Sequence, residues 1–233
     1  MRHYPASDRG HFDFGWLDTN HTFSFGHYMN SDRMNFGMLR VFNDDVVAPG
    51  EGFGTHPHNN MEIISIPLEG VIMHRDSMGH EEGLKPGDIQ VMSAGTGLTH
   101  SEYNGSATEA LKFLQIWIIP NERNVEPRYD QVHMGNAERN VLHTVVGPQN
   151  SGMPLWIHQN AWLSIARVDP GITLTHTPRT ADSGTFVFVI EGSVKIDGVE
   201  LARRDAVGIT DRSTIEITSA VDSYFIVIDV PLA

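Results

Sequence analysis

Residues 50–62, with the sequence GEGFGTHPHNNME, carry three side chains that can bind a metal, all at even positions. In an extended strand, residues at i, i+2 and i+6 face the same side. His56, His58 and Glu62 are therefore predicted to point together into one cavity. A second stretch, SAGTGLTHSE, repeats the arrangement with His100 and Glu102 two positions apart. Because converging imidazoles and a carboxylate suit Fe(II), Ni(II), Cu(II) or Zn(II), the sequence predicts a metal site inside a β-barrel.

Short apolar runs that alternate with glycine-containing turns indicate an all-β fold. The runs cover residues 61–68, 70–74, 88–92 and 111–119. Strands this short and evenly spaced are typical of a barrel or sandwich rather than of helices. A chain of 233 residues is long enough for one large or two small domains of this kind.

The C-terminal part of the chain resembles a degenerate copy of the N-terminal part. PLEG at 67–70 is echoed by VIEG at 189–192, and PGDI at 86–89 is echoed by RRDA at 203–206. The sequence therefore predicts two similar β-barrels in tandem.

The second copy lacks the metal-binding side chains of the first. A step of 12 residues leads from Asp88 to His100, whereas the same step from Asp205 leads to Ile217. One lone histidine, His176, stands where the first copy has its pair. The strands are thus expected to be kept in the second barrel and the ligands to be lost.

A loop-rich segment at 120–154 is expected to contain the domain boundary. The predicted domains are residues 1–135, which would bind the metal, and residues 136–233, which would not. The metal site is accordingly expected in the N-terminal barrel only.

Composition excludes several classes of function. The chain has no cysteine, which rules out disulfides, thiolate ligands and cysteine nucleophiles. Its net charge of −13 disfavours direct binding to nucleic acid. No apolar run is long enough to cross a membrane, and the first residues do not resemble a secretory signal, so a cytoplasmic protein is expected.

Two carboxylates compete for the fourth ligand position, and spacing alone does not choose between Glu62 and Glu102. The other one is expected to orient a ligand imidazole. His74 and Asp76 also lie two apart and are interpreted as a structural pair at a hairpin end. The sequence suggests no partner for five further histidines, which are His80, His133, His143, His158 and His176.

Several of these motifs resemble a known family. The pattern G-x5-H-x-H-x3-E at 50–62, with G-x5-S-x-G at 87–95 and H-x3-N at 100–104, resembles the paired cupin motifs. HRDSMG at 74–79 and MSAGTG at 92–97 are similar to the pirin family of bicupins. Within that family, the resemblance is to bacterial members with quercetin 2,3-dioxygenase activity.

The resemblance implies two tandem cupin barrels of the jelly-roll type and places the metal on particular residues. Carried over position by position, the family's ligands fall on His56, His58, His100 and Glu102. In ordinary cupins the carboxylate would be Glu62, so the resemblance to pirins is what favours Glu102. It also implies one divalent ion, usually iron(II), although the ligand set would accept Ni, Co, Cu, Mn or Zn.

The implied activity is a metal-dependent dioxygenase that cleaves the heterocycle of flavonols such as quercetin, with loss of carbon monoxide. Glu102 or Glu62 would act as the general base toward the 3-hydroxyl group, and Phe25 and Phe42 are expected to line the entrance. The implied partners are a flavonol and dioxygen, and a monomer is expected. The alternative is a pirin-like, iron-dependent redox-sensing regulator that binds a protein partner. A metal-dependent isomerase or hydrolase is a third candidate, since cupins host many chemistries.

Overall fold

The computed structural model describes the whole chain, residues 1–233, and confirms the all-β prediction. Apart from one 3-10 turn at Ala6–Asp8, every regular element is a strand. None of the helical structure has the length and apolar character that a membrane crossing requires. The strands are, in chain order, β1 Arg2–Tyr4, β2 Gly10–Asp13, β3 Leu17–His21, β4 Leu39–Val47, β5 Gly52–His58, β6 Glu62–Glu69, β7 Ile72–Asp76, β8 Glu81–Leu84, β9 Asp88–Ser93, β10 Leu98–Asn104, β11 Leu111–Ile118, β12 Arg128–His133, β13 His143–Pro148, β14 Leu155–Ile157, β15 Trp162–Val168, β16 Thr173–His176, β17 Ser183–Glu191, β18 Val194–Ile196, β19 Val199–Leu201, β20 Ala206–Ile209, β21 Ile215–Ser219 and β22 Ser223–Pro231.

Each barrel contains one seven-stranded and one four-stranded sheet. In the N-terminal barrel the strand orders are β12-β9-β6-β11-β4-β3-β2 and β5-β10-β7-β8. In the C-terminal barrel they are β1-β20-β17-β22-β15-β13-β14 and β16-β21-β18-β19. Apolar side chains of the two sheets in each half meet in a common cluster, as in a jelly roll. The predicted pair of tandem jelly-roll barrels is confirmed.

The first strand belongs to the sheet of the other half. β1 pairs antiparallel with β20, with Tyr4 opposite Ala206. β1 is thus the edge strand beside β20, and its position in the C-terminal sheet is equivalent to that of β12 beside β9 in the N-terminal sheet. The N-terminus therefore crosses the predicted division at residue 135, whose position stays a prediction.

The two large sheets pack face to face and form the main core between the halves. This cluster contains 26 buried residues drawn from both halves of the chain. Phe42 lies at its centre, with its ring centroid 4.4 Å from that of Phe188 and 5.7 Å from that of Phe186. The expectation that Phe42 lines the entrance of the metal site was wrong. Successive side chains of a strand point to opposite faces, and this one points away from the barrel interior.

A buried ionic cluster also joins the two halves. Asp44 Oδ2 accepts a hydrogen bond from Arg9 Nη1 at 3.2 Å, and Arg204 Nε lies 2.9 Å from the same oxygen. All three side chains are almost completely buried. Because a buried charge without a partner is strongly destabilising, this cluster constrains how the large sheets face each other.

Candidate metal centre

Three histidines meet on the small sheet of the N-terminal barrel. β5 and β10 run antiparallel, with His56 directly opposite His100 and His58 opposite Leu98. The Nε2 atoms of His56 and His100 are 3.1 Å apart. The ring centroid of His58 lies 4.8 Å from that of His56 and 4.9 Å from that of His100. One ligand nitrogen from each of the three lies within 4.8 Å of the other two, which is close enough for one ion to contact all of them.

Burial favours the neutral form of His58 and His100, and the neutral imidazole is the form that binds a metal. Desolvation, followed by the neighbouring histidines, lowers the pKa of His100 to about 2. The same causes lower the pKa of His58 to about 4. The Nδ1 atom of His56 donates to the carbonyl oxygen of Gly54 at 2.8 Å, since a carbonyl only accepts. This hydrogen bond leaves the lone pair of neutral His56 on Nε2, facing the other two rings.

Glu102 lies beside His100, beyond an irregularity in the pairing of β10 with β5. Its Oε2 accepts a hydrogen bond from Gln115 Nε2 at 2.8 Å, and its Oε1 lies 3.0 Å from Ser65 Oγ. It forms a second group of closely placed ligand atoms with His100 and His74. Burial raises the pKa of Glu102 to about 7. A carboxyl group with this pKa can exchange a proton near neutral pH.

Glu62 does not share the face of the histidines. The chain turns at Asn60, whose φ is +47°, and continues as β6 of the large sheet. There Glu62 lies on the same strand face as Ile64, in the core between the halves, and accepts a hydrogen bond from Ser93 Oγ at 2.7 Å. The predicted common face of residues 56, 58 and 62 was therefore wrong. The period of two holds only within one continuous strand.

His74 is the side chain near the site that the sequence analysis undervalued. It is fully buried, and its ring centroid lies 5.4 Å from that of His100. Its Nε2 is 3.3 Å from Asp76 Oδ2, which also accepts from His80 Nδ1 at 2.9 Å. The ring of Tyr129 packs against the rings of His74 and His80. Asp76 does cap the hairpin, by accepting backbone N–H groups, while the ring of His74 lies against that of His100.

A cavity of about 410 Å³ opens beside the histidines. Its aromatic wall includes Phe25 and Trp117, whose ring centroids lie 5.2 Å apart, and Trp117 is 5.0 Å from the ring of His58. Trp16 and Phe53 form a second aromatic pair at 5.2 Å. Besides the histidines, the polar side chains of the wall are Thr19, His21, Asn43, Asp45, Glu102 and Gln115.

The corresponding strands of the C-terminal barrel bring apolar side chains together instead. β16 and β21 pair with Leu174 opposite Ile217 and His176 opposite Ile215, in the same pattern as β5 and β10. His176 bonds to Asp229, with Nε2 2.9 Å from Oδ1. The two groups of three side chains that could together hold a metal ion both lie in the N-terminal barrel.

Comparisons with known proteins agree with this architecture. A family model described as Pirin matches residues 5–118, and one described as Quercetinase C-terminal cupin domain matches residues 144–230. A quercetin 2,3-dioxygenase of Escherichia coli K12 is 42% identical over 226 residues, which are 97% of this chain and 96% of the relative. A pirin-like protein of Caulobacter vibrioides is 36% identical, and the match covers 97% of each chain.

Among solved structures, the bacterial pirin YhhW of Escherichia coli in complex with nickel(II) superposes with a TM-score of 0.94. It is 39% identical, and the match covers 100% of this chain and 99% of that one. The fold, the two cupin domains and the extent of these matches lead to one conclusion. The chain belongs to the pirin family of cupin proteins.

Proposed function

We propose that this protein is a metal-dependent dioxygenase that cleaves the heterocycle of flavonols such as quercetin. The observation that carries the proposal is the convergence of His56, His58 and His100 beside an aromatic-walled cavity. The identity of 42% to a relative named quercetin 2,3-dioxygenase supports the same reaction.

The residues present fit a single divalent ion. The three imidazoles lie close together, and the Nε2 atoms of His56 and His100 face each other at 3.1 Å, an arrangement that a cation between them would stabilise. We propose His56, His58, His100 and Glu102 as the ligands, with iron(II) as the metal and nickel(II), which a similar structure contains, as the first alternative. When bound, the ion supplies Lewis acidity toward a substrate oxygen and access to the chemistry of dioxygen.

Glu102 is the group best placed to accept the proton of the flavonol 3-hydroxyl. Its pKa of about 7 suits a base near neutral pH. The hydroxyl of Ser65 carries one proton and lies 3.0 Å from both Glu102 Oε1 and Gln115 Oε1. If the Ser65 hydroxyl donates its hydrogen bond to Gln115 Oε1, its oxygen is free to accept a hydrogen bond from protonated Glu102. The network therefore accommodates the proton that Glu102 receives. Glu62 has no part in this step, because it lies in the core between the halves.

The aromatic wall binds and orients the rest of the substrate. Trp117 and Phe25 are perpendicular at 5.2 Å and present apolar surface to a planar ring. Their burial of the substrate also excludes water from the site, which strengthens every electrostatic interaction in it.

The decisive experiment measures oxygen uptake and flavonol absorbance together, in air, for wild type, His100→Ala and a control. The control is His3→Ala, because His3 is exposed on β1 in the other barrel. We expect oxygen consumption with quercetin in wild type and His3→Ala and none in His100→Ala, which should stay folded. If quercetin binds but no oxygen is consumed with Fe, Ni, Co, Cu or Mn, the dioxygenase proposal is wrong. That result would favour the iron-dependent regulatory role.

A further inference from the structure

A row of polar side chains crosses the inner face of the large N-terminal sheet. Ser65 lies opposite Gln115, Gln115 opposite Asn43, and Asn43 opposite His21, on the adjacent strands β6, β11, β4 and β3. Neighbouring strands are about 4.8 Å apart, so Asn43 lies about 5 Å and His21 about 10 Å beyond Gln115. The row therefore starts at the partners of Glu102 and runs away from the histidines along the cavity.

The near end of this row is satisfied within the protein, but the far end is not. Ser65 and Gln115 bond to each other and to Glu102. By contrast, Asn43 Oδ1 and His21 Nδ1 have no hydrogen-bond partner within the protein. Neither atom can reach bulk solvent, because Asn43 is only 3% and His21 only 5% exposed. Both side chains line the cavity. Buried polar atoms are rarely left unpaired, so these two are available to bond to a hydroxyl group that enters the cavity.

A buried carboxyl group stands next to this far end. Asp45 lies opposite Thr19 on β3 and accepts a hydrogen bond from its hydroxyl through Oδ1. Both residues line the cavity, and Asp45 is 4% exposed. Burial, opposed by the Thr19 hydrogen bond, raises the pKa of Asp45 to about 7. A carboxyl group of this kind can donate or accept a hydrogen bond near neutral pH.

We propose that Asn43, His21 and the Asp45–Thr19 pair form a second polar subsite that binds a hydroxyl group of the substrate. This subsite recognises the end of a planar aromatic molecule that points away from His56, His58 and His100. It therefore selects polyhydroxylated flavonols over flavonols that carry only the 3-hydroxyl and 4-keto groups. The inference rests on the proposed function for the identity of the ring system, and it adds the determinant of substrate choice.

The polarity of the row explains why such selection is expected. A wall built only to enclose an aromatic ring would be apolar, whereas the polar side chains of this row line the same cavity as Trp117 and Phe25. A substrate hydroxyl can donate to Asn43 Oδ1 and accept from or donate to Asp45. A substrate without that hydroxyl leaves Asn43 Oδ1 buried and unpaired, and sites of this kind discriminate strongly against such analogues.

The test compares quercetin with 3-hydroxyflavone, which share the 3-hydroxyl and 4-keto groups and differ in the hydroxyls on the outer rings. For wild type, we expect kcat/KM to be at least about tenfold higher for quercetin. Asn43→Leu, which has a similar shape, should bring this ratio close to one by lowering the value for quercetin. Asp45→Asn, which changes the shape of the side chain less than Asn43→Leu does, should also lower the ratio. It is the second test variant if Asn43→Leu does not fold. Asn136→Leu, an exposed change in the connection between the barrels, should keep the wild-type ratio.

Metal content is measured for every variant, to show whether a change has reached the ligands. The dissociation constants of both flavonols are measured without oxygen on the metal-loaded protein, so the subsite is tested even if nothing is turned over. A selective wild type that loses its selectivity in both variants supports the subsite. An unchanged ratio in the variants, equal affinity of wild type for the two flavonols, or no binding of either one would overturn it. Absence of oxygen uptake with selective binding retained would refute the proposed reaction and leave the subsite standing.

Discussion

Replacing Glu62 with glutamine tests which of the two candidate carboxylates, Glu62 or Glu102, binds the metal. Glu62 is fully buried, accepts a hydrogen bond from Ser93 and has no partner for Oε1. Burial, opposed by hydrogen bonds from Ser93 and from the backbone of His158 and by the charge of Arg128, raises its pKa from 4.5 to about 7. Below pH 4.5 the group is protonated in both the folded and the unfolded chain. Between pH 4.5 and 7 the unfolded chain loses the proton first, so the stability of the folded protein falls as the pH rises.

The size of the effect follows from the two pKa values. A rise from 4.5 to about 7 corresponds to about 3 kcal/mol in the free energy of unfolding at pH 8. Glu62→Gln removes this penalty and keeps an oxygen that can accept from Ser93. The variant is therefore expected to match wild type near pH 4.5 and to be more stable by about 3 kcal/mol at pH 8. For a chain of 233 residues, this amounts to about 6 °C in Tm.

The assay is urea unfolding of metal-free protein at several values between pH 4.5 and 8, combined with metal analysis of the loaded protein. Glu109→Gln is the control, because Glu109 is exposed and its replacement should produce no difference that grows with pH. Metal binding by Glu62→Gln should equal that of wild type. A stability difference that stays constant with pH, or a loss of metal comparable to that of His100→Ala, would refute the reasoning.

The other predictions concern the metal and the contact between the halves. We expect one metal equivalent per chain by elemental analysis and none in the double variant His56→Ala/His58→Ala; two equivalents that survive the double change would contradict a single N-terminal site. Glu102→Gln should weaken metal retention by at least about 10–100-fold in a chelator competition, since the loss of an outer partner alone has that effect; retention equal to wild type would exclude Glu102 as a ligand. Arg204→Met should lower the free energy of unfolding by about 3 kcal/mol, because it leaves Asp44 with one buried partner fewer; a neutral result would show that Arg9 alone suffices.

The amino-acid sequence by itself determined the fold class and the three histidines. Strand alternation and turn spacing are local properties, so the all-β fold could be predicted from them, and the internal repeat predicted two barrels. The repeat also identified Ile217 as the counterpart of His100, and the pairing of β16 with β21 agrees with that alignment. The position of His176 opposite Ile215 matches that of His58 opposite Leu98.

The tertiary structure decided everything that depends on where strands end and on which sheet they join. The turn at Asn60 moves Glu62 to another sheet, although its spacing from His58 suggested a shared face. The exchange of β1 into the C-terminal sheet has no local signal, because edge pairing depends on the position of a strand far along the chain. Phe42 and Asn43 are adjacent in sequence, yet one fills the core between the halves and the other lines the cavity. Long-range sheet pairing sets these outcomes, and periodicity alone does not reveal which face of a strand meets which neighbour.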